Sequence, residues 1–160
     1  MRGLALGVVA VCLAGCGCGG GSHEQPAQGV VREQQRVYLE EMAVDAAGGH
    51  SVSISAASEL GSGTARFILT SRIAGAPLGC ADVTFRGGGH ELRLEHTERS
   101  EDAQGQGGPI EIVTGTIRVS DLAQLARTAD LAVTWCGARL IIAARERDRL
   151  TSFAQIAAGD

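Results

Sequence analysis

His90 and His96, six residues apart, are a pair that could do chemistry, because an imidazole can ligate a metal or move a proton near neutral pH. They share alternation parity with Leu92, Leu94 and Glu98, so His90, His96 and Glu98 are expected to line one edge of one strand face. Along extended chain the two rings stand about 20 Å apart, too far to share one metal. The stretch from His90 to His96 reads HELRLEH, which lacks the H-E-x-x-H spacing, and its alternating leucines oppose the helix that motif needs. Both histidines read as surface or rim residues, and no metal is expected.

Gly87-Gly88-Gly89 and Gly61-Ser62-Gly63 could be taken for phosphate loops, but neither leads into a helix with G-K-[ST] or completes G-x-G-x-x-G. They read as turns. Every basic residue is Arg, which excludes a catalytic Lys, a Schiff-base Lys and a P-loop Lys. No G-x-S-x-G elbow occurs, and Ser120-Asp121 is better explained by helix capping than by nucleophilic catalysis. The carboxylates are scattered. No catalytic residue and no cofactor is therefore assigned. A formal charge of -4 with no long basic cluster argues against a nucleic-acid partner, and aromatics at 3% leave few flat rings for stacking bases or sugars.

The cysteines carry more information. Arg2 followed by the apolar run Gly3 to Ala14, with small residues at its end, has the form of an export signal. A spanning helix needs about 20 apolar residues, so this run is too short for one. Leu13-Ala14-Gly15-Cys16 resembles the lipobox of bacterial lipoprotein signal peptides, L-[AS]-[GA]-C, without a mismatch. That resemblance covers about the first tenth of the chain. It implies that residues 1-15 are removed as the signal peptide and that Cys16 is lipidated as the first residue of the mature protein. The bilayer then becomes a partner through acylated Cys16. The implied location is the cell envelope. In Gram-negative lipoproteins an Asp after the modified Cys favours inner-membrane retention, and Gly17 stands there, so for a Gram-negative source the resemblance implies a lipid anchor in the outer membrane facing the periplasm.

Residues 16-29 comprise that Cys and the Gly/Ser/Gln/Pro stretch Gly17 to Gly29, expected to act as a flexible tether with an r.m.s. reach of about 20 Å. With Cys12 in the signal and Cys16 taken by lipid, Cys18, Cys80 and Cys136 remain. An exported domain folds in an oxidising compartment, and Cys18 sits in the tether, so Cys80 and Cys136 are expected to form a disulfide.

Residues 30-160 are the size of one domain with a real core. Val31 to Met42 fits either a helix face or the start of a strand. Alternation predicts strands at Ser51-Ser55, Ala65-Ile73, Asp82-Arg86, Glu91-Glu95 and Ile110-Val119, with a polar loop at Ser100-Pro109. Asp121-Ala129 reads as a helix capped by Ser120, Leu131-Trp135 and Arg139-Ala143 as a hairpin, and Arg145-Ala158 as a closing helix. Trp135 falls on an apolar strand face, and the alternating charges from Arg145 to Arg149 read as a solvated helix start. The expected fold class is α+β, a largely antiparallel sheet with a short helix and a C-terminal helix packed against it. The expected function is a membrane-anchored envelope lipoprotein with a non-catalytic periplasmic domain that binds an envelope protein or has a structural role. The alternative is a small periplasmic enzyme or ligand-binding domain whose site forms only in three dimensions.

Overall fold

Val, Ile, Ser and Thr alternate through most of the chain, which suits a pleated surface buried on one side. In a computed structural model they become ten strands and two helices; residues 27–46, 51–72, 78–102 and 109–159 are described. In chain order the elements are β1 (Val30–Glu33), β2 (Arg36–Ala46), β3 (Ser51–Glu59), β4 (Thr64–Arg72), β5 (Val83–Gly87), β6 (His90–Arg93), β7 (Glu95–Asp102), β8 (Ile110–Arg118), α1 (Val119–Ala126), β9 (Ala132–Trp135), β10 (Ala138–Ile141) and α2 (Ala144–Ala158). The fold class is α+β, and among the described residues every strand pairing is antiparallel.

The open choice at residues 31–42 resolves as strand. Val37 and Leu39 point inward, and so do Met42 and Val44, because a bulge between Leu39 and Met42 shifts the register by one residue. That shift produces an apolar spacing of two, three and two, which alternation and helical period both fit in part.

The strand order is β6-β5-β9-β10-β2-β3-β4-β8-β7, with β1 added to β2. Its first and last members, β6 and β7, are separated only by Leu94. One extended segment from His90 to Asp102 therefore pairs with β5 in its first part and with β8 in its second, and the ladder returns on itself. Side chains from different parts of the ladder meet inside. Phe67 on β4 and Phe85 on β5 make an edge contact at 5.3 Å between ring centroids, and Phe153 of α2 reaches Phe67 at 6.3 Å. The helices supply Leu122, Leu125, Leu150 and Ala154 to the same core.

Three local expectations are corrected. The strand expected to end at Glu95 continues as β7 to Asp102. It is polar on both faces, and a bulge between Glu95 and Glu98 breaks its parity, so there was no alternation to read. Helix α1 begins at Val119 with Arg118 in the capping position and no side-chain cap. The Val119 N–H is bound by Gly63 O at 3.0 Å, and Ser120 lies inside the first turn with its hydroxyl on Asp121. The charges starting α2 are not simply solvated. Arg145 donates to Gln28, Arg147 to the Ala129 carbonyl, and Arg149, only 8% exposed, to the carbonyls of Gly29 and Glu40. Arg149 thus covers backbone acceptors on the side of β2 where β1 has ended and β10 has not begun.

Gly115, on β8 at the seam, is tightly enclosed: an added Cβ would lie 2.6 Å from Leu94 Cδ2 and 3.1 Å from Glu95 O. Gly115→Ala is expected to lower stability by about 1–2 kcal/mol through overpacking against the closing segment. A thermal melt checks this, and an unchanged midpoint would show that the seam yields freely.

Candidate binding grooves around the Gly87–Gly89 turn

β5 and β6 are joined by Gly88 and Gly89, with φ of 57° and 79°. Positive φ at both positions makes the two-residue connection that matches strand twist, and glycine adopts it without strain. Gly87 answers a different need. A Cβ there would stand 2.1 Å from Thr128 Oγ1, and that hydroxyl is fixed by donating to Leu125 O at 2.7 Å. The triple glycine is a turn packed closely against the end of α1.

Asp130 accepts from the Gly88 N–H at 2.8 Å, and this bond is the chief reason its carboxyl is held below the ordinary carboxylate range. A depressed folded-state pKa stabilises the turn at pH above the ordinary value and loses that contribution as pH falls through the depressed one. The Gly88 amide is therefore expected to shift in acid and to lose protection relative to its intrinsic exchange rate, and Asp130→Asn should abolish that titration. An acid-insensitive Gly88 resonance would contradict the assignment.

Two grooves flank the turn, and His90 and Glu91 line both. One, of about 350 Å³, has a floor of Ala132 and Thr134 between Arg86 and Arg139, with Glu91 and Asp130 beside them. Arg86 and Glu91 are paired at 3.0 Å. The other, of about 430 Å³, lies between β6 and α1, with Leu92 and Leu125 as its apolar members. A third groove, of about 760 Å³, follows the β1–β2 hairpin, where Arg36 meets Glu59 at 3.3 Å beside Gln34, Gln35 and Tyr38.

The structure separates the residues expected to share a strand face. His90 lies at the Gly89 turn, whereas His96 has φ of 50° within the β7 bulge. That bulge moves Glu98 opposite Thr114 on the outer face, while Leu94 is buried inward. Among the described residues no three His, Cys, Asp or Glu side chains converge on a metal position. Cys80 and Cys136 are disulfide-bonded, with Cα atoms 5.8 Å apart. Trp135 beside them is core, and its indole N–H donates to Cys80 O at 3.0 Å. Cys16 and Cys18 lie outside the described residues, as do residues 1–15. The fold already includes Ala27, whose N–H bonds Ser152 Oγ at 3.3 Å, so it extends three residues into the stretch expected to be tether.

Glu111 was not singled out by the sequence. It is 0% exposed on β8, and its carboxylate accepts from the N–H groups of Leu78 and Gly79 at 2.8 and 3.0 Å and from Arg99 Nε. Only its place among inward residues Val113 and Ile117 could have marked it, since an acid at a core position must be paired. Its register partner Ser71 is equally buried, and its hydroxyl has no hydrogen bond among the described residues. Ser71→Ala is expected to raise stability by about 1 kcal/mol by removing that unpaired group. A urea midpoint that falls instead would show the hydroxyl to be engaged.

No protein-family model matches the chain, and comparison with curated proteins and with solved structures returns no match.

Proposed function

We propose that this chain is a lipid-anchored envelope protein whose domain is a non-catalytic module that binds another envelope protein or stabilises an assembly. Leu13-Ala14-Gly15-Cys16 carries the anchor in this reading. Two features of the domain are in keeping with it. The Cys80–Cys136 bond suits an oxidising compartment. Ala27, Gln28 and Gly29 are tied to α2, which gives a chain held at Cys16 a firm attachment to the fold. The charged groups of the grooves are engaged with neighbours, Glu91 with Arg86 and Asp130 with Gly88, which favours recognition over proton transfer. His90, present in both grooves beside Glu91, favours the second reading, a small periplasmic ligand-binding domain or enzyme.

Intact mass of the native protein extracted from bacterial membranes, with and without reduction, tests the proposal. The expected species starts at Cys16, carries acyl mass and gains about 2 Da on reduction. A soluble, unacylated chain would overturn it.

A further inference from the structure

We infer that the groove between β6 and α1 docks an extended basic peptide, which adds as a strand to β6. This deepens the reading of the domain as a protein-binding module and rests on it. The Leu94 N–H donates to Val83 O at 3.0 Å, and the register continues with Leu92 opposite Phe85 and His90 opposite Gly87. Bonded pairs alternate in an antiparallel ladder, so His90, Leu92 and Leu94 turn their backbone groups toward β5. Glu91 and Arg93 turn theirs the other way. Among the described residues no strand pairs with β6 on that side.

Chain direction explains the opening. β8 pairs with Glu95 through Thr116, then leaves the sheet after Arg118 and turns into α1. The helix stands where the next strand would lie, and the groove of about 430 Å³ separates it from β6. This is a strand edge walled by a helix, the arrangement in which main-chain bonds supply affinity and side-chain pockets supply selectivity. Leu92 and Leu125 offer the apolar contact. Of the charged side chains lining the groove, Asp121 and Glu91, the latter paired with Arg86 outside it, are carboxylates and none is a guanidinium, so the complementary strand carries Lys or Arg alternating with apolar residues. The free side of β7 is different. Glu98, Glu101 and Asp102 give that strand exposed charge, the usual protection of an edge against pairing.

The test uses the full chain, isotope-labelled, with capped heptapeptides alternating Lys with Val or Glu with Val. The Lys–Val peptide is expected to slow amide exchange at Glu91 and Arg93 at least tenfold, and the Glu–Val peptide to bind at least tenfold more weakly. Asp121→Asn, which leaves the Arg86–Glu91 pair intact, is expected to narrow that preference. Unchanged exchange at Glu91 and Arg93, or equal affinity for the two peptides, overturns the inference. Protection confined to β7 overturns this groove while leaving a protein-binding role standing, and the acyl-mass measurement judges the anchor independently.

Discussion

Glu111→Ala is expected to lower the free energy of unfolding by about 3 kcal/mol, one of the larger effects open to a single substitution in a domain of this size. The carboxylate is fully buried and bound by two consecutive N–H groups and by Arg99. Removing it strands all three donors and leaves a gap in the floor beneath the segment that carries Cys80. A buried donor left without an acceptor costs about 1–3 kcal/mol; Leu78 is half-buried while Gly79 and Arg99 reach solvent, so water offsets part of the loss. Glu111→Gln keeps the shape and one acceptor but not the charge, and should lose about half as much. Urea denaturation gives the magnitude, and amide exchange at Leu78 and Gly79 gives the cause. A loss below about 1 kcal/mol with both amides still protected would mean that the disulfide and the Trp135 and Cys136 hydrogen bonds hold the segment without Glu111.

The double variant Cys80→Ala, Cys136→Ala is expected to lose up to about 4 kcal/mol by a different route. The bond joins positions 56 apart in sequence, so its removal chiefly enlarges the freedom of the unfolded chain. In the native state the segment keeps its other fasteners: Glu111 on Leu78 and Gly79, Trp135 on Cys80 O, and the Cys136 N–H on Asp82 O. The midpoint of thermal unfolding should fall by more than about 10 °C while Leu78 and Gly79 stay protected. If that protection disappears with the bond, Glu111 is a passenger. Because both changes act on one segment, their combination with Glu111→Ala should depart from additivity.

How much of this was legible depended on whether one residue's neighbours in sequence were also its neighbours in the pleat. Val52 and Ile54 alternate with serines on β3 and could be read directly, as could the Gly88-Gly89 turn and the buried face of α2. The bulges at Leu39/Met42 and Glu95/Glu98 each insert a residue that periodicity cannot anticipate, and they obscured β2 and β7. Glu111 and Arg149 are polar residues whose backbone partners lie 32 or more positions away, so little in the local sequence announced their burial. The grooves likewise join β6 to α1 and β5 to β10, elements far apart in sequence.

That closure has a mechanical consequence. Most neighbours in the ladder are hairpins, and the pairings of β4 with β8 and β5 with β9 span middle distances. β10 and β2 meet instead through two residue pairs, Leu140 with Ala46 and Ile141 with Asp45, almost a hundred positions apart. The ring is therefore two hairpin-built halves, sewn on one side by the continuous backbone at Leu94 and clasped on the other by this short joint. Under mild denaturant or load, the clasp should part first and the halves swing about Leu94, leaving each half's hairpins intact.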